Sequence, residues 1–443
     1  MALQVNIPPE AYTADSISLH PHGPTEEDLE SKSDISTLPP TESPYPDGGL
    51  DAWLVVLGAW CAMIPSMGLL NTLAILQAWV SEHELHGLPE SKIGWIFSCY
   101  AFFLYLPGVQ VGPIVDKYDI RVVVIPGSIG IVTSLVCLSF CKEFYQFLLS
   151  FGVLGGISAS FLFNPSVAAI GHWFKCRRAF AAGIAFTAGG LGGIAFPLIM
   201  MYVAPEIGFP WTMRIIALIC AVVLLVACIL LRKRLPNNPA ARTTIDIKAL
   251  RDPKFATTTL GVFLIEFAVF IPYSYICSYA LHAGFEPHDA YMLNVLLNVG
   301  AMPGRVLPGY VADRFGTFNT MCVTAFVCAT LLLTLWLTAG GDERRVTAFT
   351  ILFGFWSGAA ISLTPVSIAQ VSKVEDLGKR SGTAFCISSV GALIGIPIAG
   401  AILERDGGEY VGLIVFAGVA YAVAFAAYVL ARVVSGGWRL ALF

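Results

Sequence analysis

Two charged side chains stand where charge is costly. Glu266 lies about ten residues into the apolar run FATTTLGVFLIEFAVFIPYSYICSYAL, and Arg305 lies about six residues from the end of the next one. A charge at the centre of a membrane span costs on the order of 2.5–3.5 kcal/mol by insertion scales, so such residues usually face a cavity or a partner. Each belongs to a stripe. Glu266, Phe270, Tyr273 and Cys277 follow i, i+4, i+7, i+11 and share one helix face. Tyr291, Asn294, Asn298 and Arg305 make a similar polar face. Two facing polar stripes suit a water-filled chamber. Within it, Asn294, Asn298 and Tyr273 could bind a small molecule beside Arg305, whose planar guanidinium can hold both oxygens of a carboxylate. Glu266 could take a proton when desolvated and release it beside the guanidinium. The plainer account is that Arg305 snorkels to an interface and Glu266 pairs with it structurally.

The elements that must position these residues follow from composition. The 443 residues are 56% hydrophobic and only 13% charged, with a mean hydropathy of +0.73; a soluble protein carries about 25% charged residues. A helix needs about 20 apolar residues to cross a ~30 Å hydrocarbon core. Twelve such segments occur, at 53–79, 93–113, 121–141, 144–170, 178–204, 212–231, 256–281, 289–311, 318–339, 346–371, 380–403 and 410–434. Each should be a helix, because lipid cannot satisfy a bare backbone; a closed barrel would need alternating segments of about ten residues. The expected fold class is therefore an all-α integral membrane protein of twelve transmembrane helices in two six-helix halves. A net charge of −4 without a basic cluster gives nucleic acid nothing to bind. No basic start followed by an apolar run marks a cleavable signal peptide. The eleven cysteines include no CxxC pair and sit mostly in apolar segments, and HELH at 83–86 falls short of HExxH spacing. Neither a metal nor a cofactor is expected.

Lys and Arg set the orientation. With the N-terminus in the cytoplasm, the cytoplasmic connections and C-terminal tail hold 18 and the opposite side holds 6; Lys32 in the tail and Arg305 within a span complete the 26. Both termini are thus expected in the cytoplasm, with the plasma membrane as the default membrane. Residues 1–45 are polar, Pro-rich and acidic and read as a disordered tail, with 46–231 as the first bundle, 232–255 as a charged linker, 256–434 as the second bundle and 435–443 as a short tail. PTEEDLESKSD could serve modification or trafficking, though a solvated tail explains it as well.

The chain also repeats itself. GPIVDK holds Gly112, Asp116 and Lys117; GYVADR holds Gly309, Asp313 and Arg314; the two are 197 residues apart. NPSVAAI at Asn164 and TPVSIAQ at Thr364 stand 200 apart. In G-x-x-x-D-[KR] the Gly permits close helix approach, and the Asp can meet basic groups or a helix N-terminus across the seam between halves. Such a lock would hold one conformation and break in the other; a capping Asp in a plain turn is the alternative. Asn164-Pro165 and Thr364-Pro365 interrupt backbone hydrogen bonds and could show polar groups to a chamber, or simply bend their helices. Gly183, Gly189, Gly190, Gly192 and Gly193 are expected to allow close packing and gating.

Twelve spans arranged 6+6 around a charged linker, with this repeated loop, resemble the major facilitator superfamily. DGGLDAW before the first span resembles the opening signature of its monocarboxylate-porter family, and HWFKCRRAFAAGIAFTAGGLGG, His172 to Gly193, resembles that family's signature entering span five. The fungal branch, with its proton-linked carboxylate, vitamin and metabolite carriers, is similar. The resemblance implies that Arg305 binds a substrate carboxylate. It also marks departures: carriers of lactate and pyruvate have a lysine near the position of Asn71, which is thereby placed at the substrate chamber, and an aspartate where this chain has Ala301. Their proton relay is therefore incomplete here, and Glu266 could replace it. Near the start of span one, Asp47 and Asp51 are expected to favour the positive end of that helix.

The reading that results is a secondary transporter, not an enzyme. It would move a small organic acid or related metabolite by alternating access, with or against a proton, and export of a fungal secondary metabolite fits the departures from lactate carriers. Uptake of a monocarboxylate or vitamin is the alternative. A non-transporting sensor of the same fold has little signalling apparatus here. An enzyme lacks a GxSxG nucleophile or metal cluster, and no GxxxxGK[ST] loop points to ATP.

Overall fold

The computed structural model describes residues 46–234, 246–372 and 377–436, so the tail at 1–45, the linker stretch 235–245, residues 373–376 and the end of the chain lie outside the described residues. Twelve helical spans are present among the described residues. The first half has span one at Leu50–Asn71 continuing as Leu73–Trp79, span two at Glu90–Tyr105 and Gly108–Lys117, span three at Arg121–Leu138, span four at Phe144–Trp173, span five at Arg178–Ile207 and span six at Phe209–Leu230. The second has spans seven to twelve at Pro253–His282, Pro287–Phe315, Thr317–Trp336, Glu343–Gln370, Leu377–Arg405 and Val411–Gly436. Span seven begins at Pro253 rather than 256, because Asp252 caps it, accepting from the Lys254 N–H at 3.1 Å, and Pro253 suits the first turn. Span twelve runs to Gly436 rather than 434.

Eleven of these helices are long and apolar enough to cross a membrane. The twelfth, span eight, falls short because its 29 residues carry Asp289, Asn294, Asn298, Arg305, Asp313 and Arg314. Its polarity has a place to go: Asn294, Asn298 and Arg305 are buried. On span six, by contrast, Leu218, Val222, Leu225 and Ile229 are exposed at i, i+4, i+7, i+11, an apolar stripe facing outward. Spans one and seven are the most enclosed.

Sharp connections come from glycine. Gly208, φ +82°, joins spans five and six, and Gly316, φ +92°, joins spans eight and nine; both take the left-handed region that other residues avoid. Two spans are broken mid-membrane. Pro107 ends the first segment of span two just after Tyr105, and Thr72 interrupts span one just after Asn71. Between the halves, span five packs on span eight and span two on span eleven, the pairing that a duplicated unit gives twice.

Candidate functional site

Arg305 is fully buried at the seam between the halves. Its Nη1 donates to the Phe186 carbonyl of span five at 2.6 Å. Nε and Nη2 have no hydrogen-bond partner among the described residues, although the Tyr273 hydroxyl of span seven stands beside the guanidinium. The Tyr273 hydroxyl is also 3.3 Å from Ser357 Oγ on span ten. Arg305 does not snorkel.

Glu266 is 1% exposed. It makes no ion pair with Arg305. Its carboxyl instead meets the hydroxyl of Tyr105, across the seam in span two, and Oε2 is unpartnered. Tyr105 also neighbours Arg305, so one hydroxyl lies within the field of both charges. The structural ion pair weighed from sequence is absent.

A third group joins them. The Asn71 carbonyl, freed where span one breaks, accepts from Asn294 Nδ2 at 3.3 Å and Asn298 Nδ2 at 3.4 Å. Both side-chain polar atoms of Asn71, and Oδ1 of Asn298, are buried without partners. A broken helix at membrane depth that offers its carbonyl and unpaired amides inward is tolerated where it lines a protein-enclosed space. Span five permits this closeness. A methyl group at Gly189 would stand 2.8 Å from Arg305 Nη1, and one at Gly193 would stand 2.5 Å from Asn298 Cγ.

Asn164 is not brought to this cluster. Its Nδ2 donates to the Ser160 carbonyl at 3.1 Å and Ser160 Oγ at 2.9 Å, on its own helix, and its side chain packs against Gly108. Tyr105 is the residue sequence reasoning missed. The signal was available in YLPG, since a proline in the middle of an apolar run breaks the helix there and turns the preceding residues out of the regular ladder.

At the basic end of the bundle, where the odd-numbered spans begin, Asp313 accepts from the Ala179 and Phe180 N–H groups at 3.2 and 2.9 Å. A carboxylate of span eight thus sits on the N-terminus of span five, favoured by unsatisfied N–H groups and the helix dipole. A methyl at Gly309 would meet the Ala179 carbonyl at 2.8 Å, and one at Gly112 would meet the Gly378 carbonyl at 3.2 Å, so both loops press on the opposite half. The Asp116 side chain lies outside the described residues. Lys117 and Arg314 turn outward over Tyr118 and Tyr310, at 5.2 and 4.4 Å from the ring centroids. Asp47 differs from expectation. Rather than serving span one, it accepts from the N–H groups of Lys175, Cys176 and Arg177 at 2.7, 2.8 and 3.4 Å, ahead of span five. Asp51 does lie in the first turn of span one, exposed.

The sequence profile of the Major Facilitator Superfamily matches residues 55–351. The chain is 36% identical over 397 residues to the MFS transporter asaE of Aspergillus flavus, covering 89% of this chain and 90% of that protein. It is 35% identical over 379 residues to the fujikurins efflux protein of Gibberella fujikuroi, covering 84% and 81%. To the riboflavin transporter MCH5 of Saccharomyces cerevisiae it is 30% identical over 423 residues, covering 90% and 81%. Among solved structures, the human organic anion transporter MFSD10 superposes with a TM-score of 0.65 at 17% identity, over 85% of this chain and 98% of that one. The fold, the matching profile and the relatives agree: this chain belongs to the major facilitator superfamily and is a multi-pass membrane transporter, not an enzyme.

Proposed function

We propose that the chain exports a small organic anion, or a related acidic metabolite, by alternating access coupled to protons. One observation carries the reading: a guanidinium fully buried at the seam between the halves, with two of its three nitrogens unpartnered. An uncompensated buried charge is costly, and a carboxylate binding Nε and Nη2 would relieve that cost in the geometry arginine favours. Asn71, Asn294 and Asn298 supply further polar contacts, and Tyr273 orients the guanidinium. Asn164 stands outside this set, bonded to Ser160 on its own helix. Glu266, held apart from Arg305 by Tyr105, carries the proton. The loops at Gly112–Lys117 and Gly309–Arg314 gate the basic end; the excess of Lys and Arg there supports a cytoplasmic side holding both termini, and the plasma membrane is the default membrane for such a carrier. Export is favoured because relatives covering most of this chain bear the words efflux protein, for fujikurins and for aspyridones. The riboflavin transporter among them supports uptake as the second reading.

Counterflow in proteoliposomes tests this. Labelled organic anion should exchange across the bilayer, and an imposed pH gradient should drive accumulation. Glu266→Gln should abolish accumulation and leave exchange. Unchanged proton coupling in that variant removes Glu266 from the mechanism, and exchange that survives Arg305→Ala removes the anion site.

A further inference from the structure

Four aromatic rings meet beside the two buried charges. Phe163 of span four makes edge contacts with Tyr105 at 6.0 Å, Phe186 at 5.8 Å and Phe385 at 6.0 Å, and Tyr105 and Phe385 stack at 5.5 Å with 8° between their planes. All four are buried. They come from spans two, four, five and eleven, and therefore from both halves. Tyr105 touches the Glu266 carboxyl, and the backbone of Phe186 receives Arg305 Nη1. Counting about 1.5 Å per residue from the basic end, Phe163, Phe186, Phe385 and Arg305 all lie roughly 12–15 Å deep.

Most ring contacts elsewhere stay within one half. Tyr279, Trp336, Phe349, Phe353 and Tyr421 form a chain confined to the second. Such a chain is ordinary core packing and survives any motion of one half against the other. The cluster around Phe163 straddles the seam that must part in alternating access, so its cross-seam contacts are lost each time the transporter opens at that end. Opening would leave the flat faces of Tyr105 and Phe385 without partners, next to an unpaired guanidinium.

The geometry points to a substrate that is a planar, conjugated organic acid: its anionic group on Nε and Nη2 of Arg305, its ring system stacked between Tyr105 and Phe385. This deepens the anion-transport reading above and rests on it. A conjugated ring restores stacking and edge contacts whose preference for flat π-systems goes beyond burial of area. A saturated body of the same carbon count buries similar area but cannot restore them. Phe385 then acts as a specificity residue, and Phe163 sets the width of the slot.

Binding of 2-naphthoate and of its saturated counterpart, decahydro-2-naphthoate, to the purified full-length chain would test this by titration calorimetry. The planar acid should bind at least tenfold more tightly. Phe385→Leu should bring the ratio close to one, Phe385→Tyr should keep it, and Arg305→Lys should weaken both acids. Equal affinity of the two acids for the unaltered protein overturns the proposal, whatever the variants do, as does an undiminished ratio in Phe385→Leu. If the two acids bind equally and Arg305→Lys weakens both, the planar-substrate inference falls while the anion site stands. If neither acid binds and no organic anion is exchanged in proteoliposomes, both readings fall together.

Discussion

Asp47 and Asp313 hold the same short stretch of backbone from opposite halves of the molecule. Asp47, from the first half, accepts from the N–H groups of 175–177, and Asp313, from the second, accepts from those of 179 and 180. The start of span five is thus clamped by two carboxylates with different loyalties. Asp47 travels with span five when the halves move. Asp313 does not.

Hydrogen exchange separates the two. A hydrogen bond to a charged group contributes about 1.5–3 kcal/mol, and at this partly exposed site the lower figure applies, roughly a tenfold change in opening. Asp313→Ala should speed exchange at Ala179 and Phe180 about tenfold and leave Lys175 and Cys176 protected. Asp47→Ala should do the reverse. Equal loosening across 175–180 in both variants would show that one cap depends on the other.

Arg305→Lys tests whether the guanidinium works as a fork. A lysine ammonium can keep the bond to the Phe186 carbonyl, but it presents a point charge where Arg305 offers two unpartnered nitrogens side by side. Half-saturation for an exchanged carboxylate should rise at least tenfold, with protein yield and elution profile unchanged. An unaltered half-saturation would mean that charge alone suffices.

How far all this is legible in the sequence depends on how local the cause is. The twelve spans are plain because each is a long apolar run that only a helix can carry through lipid. Glu266 and Arg305 stand out for the same reason, as charges within such runs. Span eight shows the limit of hydropathy alone: the residues that mark it as interesting are the ones that keep it below the apolar threshold. Asp47 resisted reading because its partners are 128 to 130 positions away, and no nearby pattern announces them. The Asn71 carbonyl was invisible for a different cause. A backbone acceptor has no letter of its own; only the break at Thr72 exposes it.

Glycine substitutions in spans two and five should be graded by what they strike. At Gly193 a methyl group would press into the Asn298 amide, and at Gly94 it would find only Ile396, at 3.7 Å. Gly193→Ala should therefore abolish or cut exchange more than tenfold by displacing Asn298 from the Asn71 carbonyl. Gly94→Ala should be close to neutral, within about 0.5 kcal/mol in stability. Equal loss in the two variants, measured as exchange per folded protein, would contradict the close approach of spans five and eight.

The linker's hold on span eleven should be weak. Asp246 pairs with Lys379 at 3.2 Å and Asp252 with Arg380 at 3.6 Å, all four side chains partly exposed. Pairs of this kind contribute about 0–1 kcal/mol and are screened by salt. Asp246→Ala should lower Tm by no more than a few degrees at low salt, and by less at high salt. A large, salt-independent loss would assign the effect instead to the Asp246 carboxylate as acceptor of the Ala249 N–H, at 3.2 Å.

Tyr105→Phe isolates the hydroxyl between the two charges. The ring can remain stacked on Phe385, so folding should be little changed, by about 1 kcal/mol at most. What is lost is the group that meets the Glu266 carboxyl. If proton movement passes through that contact, the pH dependence of exchange should be displaced from that of the unaltered protein. Combining Tyr105→Phe with Glu266→Gln should then add nothing to Glu266→Gln alone, because a hydroxyl that acts only through the carboxyl has nothing left to act on. Additive effects on the pH profile would instead give Tyr105 a role of its own, through Arg305.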